Sequence, residues 1–199
     1  MAQLVLATRN EGKVKEIAAL LAPLGIEVVS LAAFPEIPEI PEDGDTFVEN
    51  ALAKARAVAA RTGQLVMADD SGLEVDALNG APGVHSARFA GEPRDDARNN
   101  QKLLRLLEGV PWEQRSARFR CVIALVTPGG MERVAEGVCE GFIGYEPRGT
   151  GGFGYDPLFY VPEFDRTFAE LDLDTKNRIS HRGRALMAVQ KLVAKMLGC

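Results

Sequence analysis

Apolar positions along this chain come in short blocks whose period changes from one block to the next. Leu4-Val5-Leu6-Ala7 is an unbroken run closed by Thr-Arg-Asn-Glu-Gly, after which Val14, Ile17, Leu21 and Leu24 recur at helical spacing. That order predicts a strand, a loop and a helix. Ile26 to Leu31 reads as a second strand, and Pro35, Pro38 and Pro41 then impose an extended loop. Helical spacing returns from Thr46 to Thr62, where Thr46 and Glu49 form a capping-box pair and Gly63 marks the stop. Leu65-Val66-Met67-Ala68 is the next strand and runs into Asp69-Asp70-Ser71-Gly72.

Ala81-Pro82-Gly83 breaks the chain, and Arg94 to Glu108 reads as helix. Ala117, Phe119, Cys121, Ile123 and Leu125 alternate as a half-buried strand. Pro128-Gly129-Gly130 signals a hairpin whose second arm is Val134 to Ile143. A glycine-rich stretch follows, then a strand around Leu158 to Val161 and a closing helix with Leu186, Val189, Val193 and Met196 on one face. Strand-helix alternation followed by a long hairpin predicts an α/β fold, a mixed twisted central sheet flanked by helices. One domain over residues 1–199 is expected, with two lobes and an active-site cleft between them.

Composition narrows the class. With 26% charged and 46% hydrophobic residues the chain has ordinary globular usage, which excludes disorder, collagen and coiled coil. The longest aliphatic run, Cys121 to Val126, is far short of the ~20 residues of a membrane span, and Met1-Ala2-Gln3 offers no basic start for a signal peptide. A soluble cytoplasmic protein is expected. Cys121, Cys139 and Cys199 have no CxxC spacing, and neither His85 nor His181 lies close to them in sequence, which argues against structural zinc and a disulfide framework. A net charge of -5 argues against binding to a nucleic-acid backbone.

Charge distribution says more than the total. Glu36, Glu39, Glu42, Asp43, Asp45 and Glu49 fall between Ala32 and Asn50 without a base, whereas Lys176 to Cys199 carries bases and no acid. A cation and an anion each find a candidate home, although a solvated loop and a surface helix would look the same. Thr8-Arg9-Asn10-Glu11-Gly12-Lys13 lies between a strand and a helix N-terminus, where backbone amides and a first-turn lysine converge on an anion. The plain alternative is an Asn/Gly turn with a solvated lysine. Asp69-Asp70-Ser71 ends an apolar strand, the edge where open α/β sheets place ligands. There one carboxylate can bind a hard cation while the other makes structural hydrogen bonds, with Glu42 or Asp43 as a further oxygen ligand. An Asx turn is the competing reading.

Gly149-Thr150-Gly151-Gly152-Phe153-Gly154-Tyr155-Asp156-Pro157 contains a literal GxGxxG, but it leads into a β-like run instead of opening a helix, so it is not a dinucleotide fingerprint. Glycines beside Phe153 suit close approach of a flat ring or, equally, a hairpin loop with packed aromatics. Lys176 and Ser180-His181-Arg182 put donors for an anion or a carbonyl-rich base at the start of the closing helix.

Taken together, Thr8-x-Asn10-x-x-Lys13, Phe47-Val48-Glu49-Asn50-Ala51, Ala68 to Leu73, Gly80-Ala81-Pro82-Gly83, the Gly149 to Pro157 stretch and Ser180-His181-Arg182-Gly183 resemble the inosine/xanthosine triphosphate pyrophosphatases, over nearly the whole chain and in order. The resemblance implies a homodimer that uses Mg²⁺ to hydrolyse the non-canonical purine nucleotides ITP, dITP and XTP to monophosphate and pyrophosphate. It implies Asp70 as the acidic catalytic residue and Glu42 with Asp70 at the metal. Thr8, Arg9, Asn10, Glu11, Gly12, Lys13 and Lys54 would contact the triphosphate. Ser71, Phe153, Gly154, Tyr155, Asp156, Lys176, His181 and Arg182 would contact the rest of the nucleotide. Donors from Lys176, His181 or Arg182 would read the 6-oxo group that distinguishes hypoxanthine and xanthine from adenine. A noncatalytic nucleotide sensor, or a phosphatase of broader specificity, remains as the alternative.

Overall fold

The computed structural model describes residues 2–198, so Met1 and Cys199 lie outside the described residues. The apolar blocks become β1 (Ala2–Leu6), α1 (Glu11–Leu21), β2 (Ile26–Ser30), α2 (Phe47–Thr62), β3 (Val66–Val75), α3 (Asp96–Leu106), β4 (Ser116–Val126), β5 (Glu132–Ile143), β6 (Phe159–Val161), β7 (Arg166–Thr167), α4 (Leu173–Ile179) and α5 (His181–Leu197). The sheet has the order β2-β1-β3-β4-β5-β6-β7. β1 pairs parallel with β2 and β3, whereas β5, β6 and β7 pair antiparallel. The expected mixed α/β class is therefore the one observed.

Local chemistry sets the helix ends. Asn10 caps α1, and Pro23 ends its apolar period in a 3-10 turn over Ala22–Leu24, three residues earlier than the periodicity suggests. The capping box on α2 is present in both directions, from Glu49 N–H to Thr46 and from Thr46 N–H to Glu49, and Gly63 closes the helix at φ 64°. Two readings change. β3 does not stop at Ala68 but continues through the acidic pair to Val75. β4 alternates only to Cys121; from there to Val126 every residue is buried, because both of its faces are covered.

The chain forms two compact units. Unit 1 comprises Met1–Asp70, Cys121–Gly137 and His181–Cys199; unit 2 comprises Ser71–Arg120 and Val138–Ser180. In unit 1, Leu4 and Leu6 of β1, Ile17 and Leu21 of α1, Met67 of β3, Ile123 of β4 and Leu186 and Val189 of α5 share one core. Gly137 allows β5 to lie against the first turns of α5, since a side chain there would run into the His181 carbonyl and the Ala185 amide. In unit 2, Leu73, Leu103, Phe119, Tyr155, Phe159 and Phe168 form a separate core with stacked Phe119 and Phe168 rings. Among the described residues, no helix is long and apolar enough to cross a membrane.

Candidate active site

Unit 1 assembles an acid-base cluster at one strand edge. β1 ends at Leu6, paired with Met67, and the chain turns through Thr8 to Asn10 into α1 while β3 continues. Asp69 and Asp70 therefore lie just past the last β1 pair, at the edge where parallel strands present ligands. Thr8 Oγ1 accepts the Asn10 N–H at 3.1 Å, and Asn10 Oδ1 accepts the Lys13 N–H at 3.2 Å. These bonds shape the turn and set the amides of Glu11 and Gly12 in the first helical turn, where helix N–H groups have no partner within the helix. Arg9 is engaged elsewhere: its guanidinium donates to the carbonyls of Phe34 at 3.3 Å and Ile37 at 2.6 Å, bracing the proline-rich segment that carries Glu42.

Neighbouring residues of a strand point to opposite faces, which separates the fates of the two aspartates. Asp69 is fully buried against α1 and α5, with Lys13 Nζ at 3.1 Å and Arg182 Nη2 at 3.1 Å. Arg182, itself 1% exposed, also donates to Glu16 at 2.5 Å. Burial alone would raise the Asp69 pKa, but Lys13, Arg182 and Lys54 outweigh it and hold the carboxyl well below the usual range. Asp69 is thus a permanent anion that fixes Lys13.

Asp70 faces α2. Lys54 Nζ lies 3.8 Å from Asp70 Oδ1, 2.5 Å from Glu42 Oε1 and 2.5 Å from the Asp69 carbonyl oxygen. Burial would lower the Lys54 pKa, but Glu42, Asp69 and Asp70 more than offset it and keep the ammonium charged. Asn50, one turn before Lys54, lies beside Asp70 and ties down the chain ahead of α2 by accepting the Gly44 N–H at 2.8 Å. For Asp70 burial wins: it pushes the carboxyl up to about 6 against the pull of Lys54 and Lys13. Asp70 Oδ2 is buried and makes no hydrogen bond among the described residues. Two adjacent carboxylates with pKa values driven apart are a recurring arrangement for acid-base chemistry.

Unit 2 holds the second cluster. Asp156 Oδ2 accepts from Lys176 Nζ at 2.5 Å and from the Phe153 N–H at 3.0 Å, while Lys176 Nζ lies 5.1 Å from the Phe153 ring centre and 5.5 Å from that of Phe168. Phe153 stays half-buried. Tyr155 points into the core and donates to the Ser86 carbonyl at 2.6 Å, so it anchors the loop. Ser71 is half-buried on β3 at the start of this unit. The expected closing helix is two: Ser180 is extended at ψ 158°, which places Lys176 in α4 of unit 2 and His181 and Arg182 in α5 of unit 1.

The sequence matches the Ham1 family over residues 4–192. The chain belongs to the Ham1 family. It is 62% identical to a dITP/XTP pyrophosphatase of Desulforamulus reducens over 98% of this chain and 96% of that one. It is 54% identical to a dITP/XTP pyrophosphatase of Geobacillus kaustophilus over 100% and 97% of the two chains. A solved HAM1 protein from Coxiella burnetii superposes with a TM-score of 0.86 at 48% identity, covering 98% of this chain and all of that one. Some residues of this Ham1 cluster escape sequence reading. Glu16 and Asn50 had a usable signal, a polar residue on a buried helix face three or four positions from a lysine of the site; the Asp96 and Asn100 contacts described below had none.

Proposed function

We propose that this Ham1 protein hydrolyses the non-canonical purine nucleoside triphosphates dITP, ITP and XTP to the monophosphate and pyrophosphate. The observation that carries this reading is Asp70, a buried carboxylate with one unpartnered oxygen and a pKa pushed up to about 6, next to Lys54 and Glu42 and beside the Thr8 to Lys13 anion turn. The names of its relatives from Desulforamulus reducens and Geobacillus kaustophilus support the substrate class.

The donor set fits Mg²⁺. Among the described residues no trio of His, Cys, Asp or Glu is placed to hold a metal, but Mg²⁺ characteristically takes one or two carboxylates and completes its shell with water and phosphate oxygens. Glu42 and Asp70 are the two that would hold it. When bound it supplies charge neutralisation on the phosphates and lowers the pKa of water.

The chain's own residues do the remainder. Asp70, ionised at neutral pH, takes the proton of the water that attacks the α-phosphorus in line. Lys13, held by Asp69, and Lys54 stabilise negative charge on the departing pyrophosphate. Thr8, Asn10, Glu11 and Gly12 supply the turn for the phosphates. Phe153 offers a stacking face, and Lys176, Ser71 and His181 supply contacts to sugar and base. Arg9 and Arg182 act through the groups they hold, Ile37 and Asp69. Hydrolysis of dITP in ¹⁸O-water tests the reaction. Label in the monophosphate agrees with attack at the α-phosphorus; label in pyrophosphate refutes it. A homodimer in the cytoplasm belongs to the same proposal, and a sedimentation mass near that of one chain would refute the dimer.

A further inference from the structure

The half-buried Phe153 ring sits on a short loop whose backbone is gripped from outside by α3. Gly154, at φ 61°, is the residue next to that ring, and both of its backbone polar groups are taken. Its N–H donates to Asp96 Oδ2 at 2.9 Å, and its carbonyl accepts from Asn100 Nδ2 at 3.0 Å. Asp96 and Asn100 lie four residues apart, one turn along the same face of α3, so the helix meets the two peptide units flanking Gly154 with an acceptor for the first and a donor for the second. The other oxygen of Asp96 is bound by Arg94 at 3.2 Å. Asn100 Oδ1 is buried and makes no hydrogen bond among the described residues, so the amide engages the loop through its Nδ2 bond to Gly154.

The remaining anchors converge on the same loop. Asp156 takes the Phe153 N–H, and Tyr155 reaches the Ser86 carbonyl, which Asn99 of α3 also contacts at 3.5 Å. α3 is strongly amphipathic, with Asn99 and Leu103 buried, so its register against the core fixes where Asp96 and Asn100 stand. A left-handed glycine between a half-buried phenylalanine and a buried tyrosine has little conformational restraint of its own. The clamp of bonds to Asp96 and Asn100 supplies that restraint on the backbone.

We propose that Asp96 and Asn100 are positioning residues for base recognition, holding the backbone on both sides of Gly154 so that Phe153 meets the purine ring in one orientation. The inference rests on the reading of Phe153 as the base platform. Neither residue touches phosphate in this account, so their loss acts on the base alone. Preorganisation of this kind is expressed as binding: the loop must be ordered by substrate when the clamp is gone.

Steady-state hydrolysis of dITP by Asp96→Ala, Asn100→Ala, Asp96→Asn and Phe153→Ala tests it, with inorganic triphosphate as a competitive inhibitor that lacks a base. Asp96→Ala and Asn100→Ala are expected to raise KM for dITP by roughly five- to tenfold, the scale of one hydrogen bond. kcat and the inhibition constant of triphosphate should stay within about twofold, and Asp96→Asn, which keeps an acceptor for the Gly154 N–H, should restore KM. A KM that does not move, or a triphosphate constant that rises in step with it, overturns the proposal. If Phe153→Ala raises KM and the clamp variants do not, the clamp fails while the platform stands; if Phe153→Ala also leaves KM unchanged, the platform itself fails.

Discussion

Asp70→Asn should make this protein less active and more stable, and the two effects have one cause. The carboxyl is 5% exposed, one of its oxygens has no hydrogen-bond partner among the described residues, and burial raises its pKa from 3.8 to about 6. Each unit by which folding raises an acid's pKa disfavours the charged folded state by about 1.36 kcal/mol, so ionised Asp70 costs about 3 kcal/mol at pH 8. An asparagine of the same shape removes that cost. For a chain of this length the melting temperature should rise by roughly 6 to 12 °C at pH 8. The sign reverses the usual carboxylate case. Well below pH 3.8 both folded and unfolded wild-type chains hold the proton and the penalty vanishes; it grows as pH rises from about 3.8 to 6 and levels off above that. The advantage of the variant should therefore shrink to about 1.5 kcal/mol at pH 5 and to under about 0.5 kcal/mol near pH 3.8. Thermal unfolding of both proteins in EDTA from pH 4 to 8, with dITP turnover measured in Mg²⁺, reads this directly. Turnover should fall by about 10² or more, the usual contribution of a general base. A variant equally or less stable at pH 8, or a stability gain that does not change with pH, would refute the reasoning.

Other expectations follow from neighbouring contacts. Arg182→Leu leaves Glu16 and Asp69 buried without their shared guanidinium, which should cost about 3 to 5 kcal/mol in urea unfolding; a loss under about 1 kcal/mol would mean the network is not coupled. Gly137→Ala places a methyl against the backbone of α5 and should destabilise by about 1 to 3 kcal/mol, a cost absent if β5 shifts freely. Cys121 is fully buried and its thiol is pushed up to about 12 by burial and by Asp69, so peptide mapping after iodoacetamide treatment of the native protein at pH 8 should find it unmodified; rapid labelling would contradict its placement in the core.

Much of this was legible from local chemistry. The Thr46/Glu49 box, the Asn10 turn and the acidic pair are short-range devices, in which the residues that meet are within a few positions of each other, and a periodic pattern reports them faithfully. What could not be read depends on distant partners. The break at Ser180 leaves the helical spacing on either side intact, so nothing in the period separates Lys176 from His181. Asp69 and Asp70 are identical in sequence terms, and only the packing of Lys13 and Arg182 against one face of β3 drives the pKa of the first down while burial drives that of the second up. The 1% exposure of Arg182 and its bonds to Glu16 and Asp69 were equally hidden, since those partners lie more than a hundred positions away in the chain. Burial on both faces of β4 beyond Cys121 was likewise hidden, since a strand's second face is settled by what packs on it.

The most direct test of the central claim is a hydrolysis panel of dITP, ITP, XTP, GTP and ATP with and without Mg²⁺, measuring pyrophosphate and orthophosphate separately. The account predicts pyrophosphate as the primary product, released in the presence of Mg²⁺ from dITP, ITP and XTP and far more slowly from ATP. Orthophosphate as the primary product, or equal turnover of ATP, would contradict it.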